Sequence, residues 1–302
     1  MSKRKLIKGE KHHWWPKGLS KNWGNERGLV HRIDWSGKEV TSKPKEFGQI
    51  SDGHNILFDV DTPWNSTIEH FFDEPDKKFP KIVRWLESIK RDCKDINASE
   101  ISLSTDQIED NNFDVTRECL ISLIVRSPKY RNAQAAFVEH YRGELDKKER
   151  KLLIAANINQ KYNMLVQHSK GAGKLGLLFS NDYEFIFGDG FYTNVGASTQ
   201  SLFGVKALIP LTPNIAVIWS SPMTYSTYPR LMSMQVDREI VELVNYSVQV
   251  YSKEYLFYRT QKPNLATEFK RCEHLVFNGT DNPVTKLINS LIPDLSEKRV
   301  FI

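Results

Sequence analysis

Two apolar runs in the second half of the chain leave little freedom for what surrounds them. Phe185-Ile-Phe-Gly-Asp-Gly190 stops at an acid between two glycines, and Ala207-Leu-Ile-Pro-Leu-Thr-Pro-Asn-Ile-Ala-Val-Ile-Trp219 is hinged at Pro210 and Pro213. Four to eight apolar residues bounded by Gly or Pro read as strands buried on both faces, so the rest of the chain must supply layers that cover them. Asp189 at the mouth of the first run has two readings. It presents chemistry where glycines admit a ligand, or it caps backbone N–H groups in a tight turn.

The covering layers come from what precedes. Residues 1–11 read as a basic tail. Residues 12–64 form a hairpin region: Gly28 to Trp35 alternates, Ser36-Gly37 is a turn signal and Lys38 to Ser42 is the return strand. From residue 65 to 168 the period becomes helical. Asn65 or Ser66 is the expected cap of a first helix carrying Ile68, Phe71, Phe72, Phe79, Ile82, Val83, Leu86 and Ile89. Ser104 reads as another helix start, and Val115 to Val125 as a buried helix that Pro128 terminates. Asn132 to Tyr141 and Asp146 to Val166 complete an all-α block. Residues 169–302 return to strands, with helices over 236–245 and 283–291, and Val248 to Tyr258 reads as strand because it is aromatic and β-branched. The expected fold is therefore α+β, a single domain over residues 12–302 made of an N-terminal segment with a hairpin, a central helical block and a C-terminal mixed sheet.

Composition narrows the class. The chain is 40% hydrophobic with seven Trp, which suits a folded core rather than a disordered chain. No run reaches the roughly 18 apolar residues a membrane helix needs, and the basic N-terminus lacks the apolar stretch of a secretory signal. Cys93, Cys119 and Cys272 lie far apart without metal-ligand spacing and read as free thiols of a reducing cytoplasm. A net charge of +5 permits contact with nucleic acid without requiring it. Lys170-Gly-Ala-Gly-Lys-Leu-Gly176 is a glycine-rich connector and not a phosphate loop, since Leu175 occupies the place of the magnesium-binding hydroxyl.

Lys11-His-His-Trp-Trp-Pro16, with Trp23 just beyond, is the least ordinary composition in the chain, and three tryptophans so close together predict a segment pinned into the core. His12-His13-Trp14-Trp15-Pro16 with Leu19 and Trp23 resembles the N-terminal His-x-x-Pro signature of the bacterial domain-of-unknown-function 4238 family. Arg126-Ser127-Pro128 after an apolar helix, Phe185 to Gly190, Pro210-Leu-Thr-Pro213 and Glu242-Leu-Val-Asn245 are similar to later blocks of that family, in the same order. Two positions depart from its pattern: Gly188 stands for the usual Ser and Phe191 for the usual Pro, leaving Thr193 and Asn194 as the nearest polar replacements. The resemblance implies an intracellular bacterial α+β protein and supplies positions rather than a reaction.

The positions so marked are His13, Arg126 and Asp189 as a catalytic group, with His12, Thr193, Asn194 and Asn245 as ligand-binding residues. A His, an acid and an Arg converging suit hydrolysis of a phosphodiester in nucleic acid or a nucleotide: the His activates water, the acid orients it, the Arg neutralises phosphate. His12 and His13 with Asp189 offer the alternative of a divalent metal site. A structural reading stands beside both, in which Arg126 and Asp189 form an ion pair joining helices to sheet. Asn22 and His31 have the spacing of a ββα-metal nuclease, but the gap from His13 to Asn22 is too short for its hairpin. Two settings follow: a bacterial defence or toxin effector acting in a protein complex, or a non-catalytic subunit whose Trp and Lys residues bind single-stranded nucleic acid.

Overall fold

The computed structural model describes residues 11–51, 54–56, 66–89, 104–106, 109–196, 204–221, 230–277 and 282–291. Residue 11, placed in the tail by its charge, already belongs to the fold. Strand β1 (Lys11–His13) pairs antiparallel with β4 (Gln49–Ser51), His12 opposite Ile50. Between them lie the short helix α1 (Lys17–Ser20) and the expected hairpin of β2 (Val30–Asp34) and β3 (Glu39–Ser42). Gly37 turns that hairpin at φ +88°, and Asp34 Oδ1 accepts from the N–H groups of Ser36 and Lys38. A further small ladder, β5 (Asn55–Ile56) on β6 (Ser66–Thr67), closes the region.

The helical block is present with shifted edges. Helix α2 is His70–Ser88, because Ser66 and Thr67 take a place in the ladder instead of capping a helix. Ser104, expected to start a helix, lies in strand β7 (Ser104–Asp106), where an edge position outweighs the capping signal. Helices α3 (Asp110–Arg126) and α4 (Pro128–Arg142) meet at a sharp break. Pro128 ends the first and begins the second, where its missing N–H costs nothing, and Ser127 Oγ accepts from the Tyr130 N–H. Helix α5 (Lys147–His168) is capped by Asp146, which accepts from the N–H groups of Lys148 and Glu149.

The rest is β-rich: β8 (Lys174–Phe179), β9 (Phe187–Gly188), β10 (Tyr192–Thr193), β11 (Val205–Thr212), β12 (Ile215–Ser221), β13 (Leu231–Gln235), helix α6 (Arg238–Tyr251), β14 (Tyr255–Tyr258) and helix α7 (Pro283–Leu291). One six-stranded sheet runs β10-β11-β12-β8-β13-β7, antiparallel except for the parallel pair β8 and β13. Strands β8 and β12 are buried along their whole length, as their unbroken apolar runs require. Pro210, unable to donate to a ladder, sits where the β11–β12 register slips. A second sheet runs β3-β2-β14-β9. Val248 to Tyr251 continue α6 rather than opening a strand: burial of that helix face overrides β-propensity, and the strand is confined to β14. The fold is α+β, and among the described residues no helix is long and apolar enough to cross a membrane.

The two sheets and the N-terminal segment meet in an aromatic stack. Phe187 lies between Trp15 and Phe257, each at 4.5 Å between ring centroids and 10° from parallel. Trp23 closes on the same ring from the side and donates its indole N–H to Leu211 O at 3.2 Å. Trp15 is buried, yet its own indole N–H has no partner among the described residues. Trp15→Ala is expected to cost about 3–5 kcal/mol through lost contacts and a cavity. Trp15→Phe should cost clearly less, because it keeps a stacking ring and removes an unsatisfied donor. Denaturant unfolding of both variants tests this; equal losses would show that the stack contributes nothing specific.

Candidate functional site

Adjacent residues of a strand point to opposite faces, and this parity decides what β1 can present. His12 is buried on the face toward β5 and α2, whereas His13 lies on the other, with Nε2 near Lys45 O and the Gln49 side chain. The two therefore do not share a metal. His12 instead joins His54 and Glu69, with one nitrogen or oxygen ligand atom from each lying within 4.8 Å of the others. The imidazoles of His12 and His54 are 5.0 Å apart between centroids. His54 Nδ1 meets Glu69 Oε2, and the His54 backbone N–H donates to His12 Nδ1 at 3.2 Å.

Backbone geometry brings these three together from distant positions. Pairing of β1 with β4 fixes His12. Pairing of β5 with β6, with Ile68 N–H donating to His54 O at 2.9 Å, sets His54 beside the start of α2, where Glu69 is the residue before the first helical turn. His54 is buried, and burial outweighs the pull of Glu69 to push its pKa down to about 4. The ring is thus neutral at pH 7 and donates its Nδ1 proton to the carboxylate, leaving Nε2 with its lone pair. Burial works to raise Glu69 as well, but the hydrogen bond from His54 prevails and holds it below the usual carboxylate range. Its side chain is 38% exposed, so the cluster opens to solvent through Glu69.

Arg126 stands behind the cluster. Its side chain is fully buried, donates to both carboxylate oxygens of Asp76 at 2.7 and 3.2 Å, and reaches His13 O at 3.4 Å. The guanidinium lies 4.5 Å from the centroid of Phe72, whose ring also packs on His54. The ion pair expected with Asp189 is therefore made with Asp76 instead, a carboxylate on the neighbouring helix that reaches the guanidinium bidentately. Arg126 and Arg131 both act electrostatically on His54. Arg131, Lys147, Arg150 and Lys151 line a cavity of about 270 Å³ that also touches Ser51 at the end of β4.

Asp189 lies elsewhere in the fold's contacts. Its carboxylate accepts from the backbone N–H groups of Lys253 and Glu254 at 2.9 and 3.0 Å, fastening the turn between α6 and β14. Gly188 and Gly190 flank it because a Cβ at either would overlap Ser252 or Tyr251. It lines a cavity of about 430 Å³ with Trp14, Arg32 and Glu254, which neither His13 nor Arg126 lines. The other marked positions make backbone contacts: Asn245 spans Ile186 N and Glu184 O, and Asn194 spans Lys206 N and Gly204 O. Thr193 Oγ1 accepts from Val195 N–H. Thr193 and Asn194 also line a third cavity with Lys129. His54 stands in a polar stretch without helical or alternating period, and Glu69 reads as a polar position at the start of the helical pattern of Ile68, Phe71 and Phe72; the only signal of either was its residue type.

Arg126→Met should destabilise by about 3–5 kcal/mol, because Asp76 and the Ser122 and His13 carbonyls lose their donor. A loss under 1 kcal/mol in denaturant unfolding would contradict that. For Asp189, burial raises the pKa from 3.8 to about 6, against the two N–H donors that pull it down. The folded protein then binds more protons than the unfolded chain between those values, so this group's contribution to stability falls as pH rises from about 4 to 6. Asp189→Asn removes that dependence. Its stability relative to the parent should rise by about 2 kcal/mol between pH 4 and pH 7, and a pH-independent difference in thermal unfolding would refute the assignment. Compared with known proteins, the chain matches no family model, no curated relative and no solved structure.

Proposed function

We propose that the protein is a metal-dependent hydrolase of a phosphodiester, in nucleic acid or a nucleotide, with His12, His54 and Glu69 as the metal ligands. The observation that carries this reading is the convergence of two buried imidazoles and one half-exposed carboxylate with their ligand atoms within 4.8 Å. Two His and one Glu form a donor set suited to a borderline divalent cation, and three protein ligands leave a position for water or substrate. When bound, such a cation supplies an acidified water. His12 and His54 would hold it on the buried side, and Glu69 would face the solvent from which substrate arrives. The basic cavity of Arg131, Lys147, Arg150 and Lys151 attracts the anionic ester beside it. Kinship with the domain-of-unknown-function 4238 family, and with it a role as a defence effector, belongs to the same proposal and rests on the resemblance of short motifs.

The test is to strip the protein with chelator and reload it with Zn²⁺ or Mn²⁺. Bound metal is then quantified, and hydrolysis of bis(p-nitrophenyl) phosphate and of a single-stranded oligonucleotide is followed. One metal per chain and metal-dependent hydrolysis are expected, with His54→Ala and Glu69→Gln each weakening metal binding by roughly 10–100-fold or more. Metal bound with equal affinity by both variants would remove the site. Stoichiometric metal without hydrolysis of either substrate would make the centre structural and favour a binding subunit.

A further inference from the structure

The third cavity, of about 530 Å³, opens between α4 and the C-terminal end of α6 and owes nothing to the histidine cluster. Its volume falls in the range of small-molecule sites, and its walls are largely aromatic and aliphatic, as such sites are. Tyr192, Tyr251 and Phe277 supply the rings. Tyr251 meets both of the others edge-on or tilted, at 5.6 and 5.7 Å between centroids, so the walls are fixed by packing.

Among the described residues, one charged side chain faces this space. Lys129 is the second residue of α4, and its backbone N–H donates to Asp189 O at 3.3 Å. Its Nζ stands 4.4 Å from the centroid of Tyr251, and among the described residues no carboxylate pairs with it. A cation held against a ring gains from the π-face but remains short of a counter-ion. Burial accordingly pushes its pKa down to about 8, which still leaves the ammonium charged at pH 7.

The neighbouring imidazole does not supply the missing charge. His274 Nδ1 donates to Tyr251 O at 2.9 Å, so its Nε2 carries the lone pair and accepts from Asn132 Nδ2 at 3.3 Å. Burial, seconded by the charge of Lys129, holds His274 down to about 4 and hence neutral. Nor are the amides at the rim substitutes: Asn194 and Asn282 are engaged with backbone groups. The cavity therefore combines a single positive charge with flat apolar walls. A monoanion matches one ammonium, whereas a phosphate dianion would bring an excess charge into apolar surroundings.

We propose that this cavity binds a small organic carboxylate with a flat apolar body, the carboxylate on Lys129 and the body against Tyr251 and Phe277. Neither the Lys129 cavity nor its ligand depends on the metal centre.

Isothermal titration of the full chain with 1-naphthoate tests this, with 1-naphthylmethanol as the neutral analogue and inorganic phosphate as the anion without an apolar body. Naphthoate should bind, and both the neutral analogue and phosphate should bind at least tenfold more weakly. Lys129→Met should lose naphthoate at least tenfold, while Lys129→Arg, which keeps the charge, should stay within a few-fold of the parent. Met requires no solvation in that setting, so the variant is expected to fold, and Lys129→Gln gives the same comparison. His54→Ala should leave naphthoate binding unchanged, which separates this site from the metal centre. Naphthoate binding retained by Lys129→Met, equal affinity for the neutral analogue, or no binding of naphthoate at millimolar concentration would each overturn the proposal.

Discussion

The stack of Trp15, Phe187 and Phe257 is the contact on which the other arrangements rest. Each ring belongs to a different part of the chain: the N-terminal segment, β9 and β14. Large aromatic side chains each bury on the order of 200 Å² and add a geometric preference that aliphatic contacts lack. The stack therefore does more than exclude water; it sets where β1 ends. Trp15 lies three residues after His12, and Trp14 and Trp15 donate their backbone N–H groups to Gly48 O. Gly48 adopts φ +66°, and a Cβ there would press on Trp15, so the turn into β4 and the indole are mutually fitted. On the other side, Phe187 lies two residues before Asp189. One stack thus sets the position of the strand that carries His12 and of the turn that Asp189 fastens.

The buried charges follow from the same geometry. Arg126 is enclosed at the end of α3, where an unpaired guanidinium would be severely destabilising. It is satisfied by Asp76, by Ser122 O and by His13 O, so it ties α2, α3 and β1 into one corner. Its bidentate partner neutralises much of its charge. A neutral His54 can then lie beside Glu69, whose carboxylate accepts a hydrogen bond from the imidazole N–H, with the cationic neighbours Arg126 and Arg131 nearby. The carboxylates of Asp76 and Glu69 offset the positive charge of Arg126 beside the neutral His54.

How far the sequence could be read depended on whether a local pattern or a distant contact decided the outcome. The strands on either side of Pro213, the helix stop at Pro128 and the helix from Asp146 are local, and each lies close to where the residues indicated, whereas the run from Phe185 is strand only at Phe187 and Gly188. Burial of Trp14, Trp15 and Trp23 was legible from their density alone. Ser66, Ser104 and Val248 were misread because their roles are set by the partner strand or by the face of a helix, which override single-residue preference. The site was legible in part. His12 and Arg126 were marked as candidates, but pairing His12 with His13 ignored the alternation of a strand; His54 lies in a segment without periodic signature, and Asp76 reads only as a polar position on an amphipathic helix. Asp189 was visible as an acid between glycines. Which of its two readings the fold uses depended on the end of α6, sixty residues away in the chain, and there it takes the N–H groups of Lys253 and Glu254.

The short segment Arg126-Ser127-Pro128-Lys129-Tyr130-Arg131 shows how one local break can serve several places. In an uninterrupted helix, residues three and four apart share a face, and Arg126, Lys129 and Tyr130 would crowd together. Ser127 instead leaves the helical region at ψ 141°, and Pro128 starts a new axis. Arg126 consequently ends α3 pointing into the corner with Asp76 and Phe72, while Lys129 begins α4 facing Tyr251 across a different cavity. Arg131, one half-turn on, lines the basic cavity beside β4 and acts on His54. The break costs no buried donor, since proline has none to lose and the Ser127 side chain and backbone satisfy Tyr130 and Arg131. Three cationic residues within six positions are in this way turned toward the Asp76 corner, the Tyr251 ring and the basic cavity beside β4.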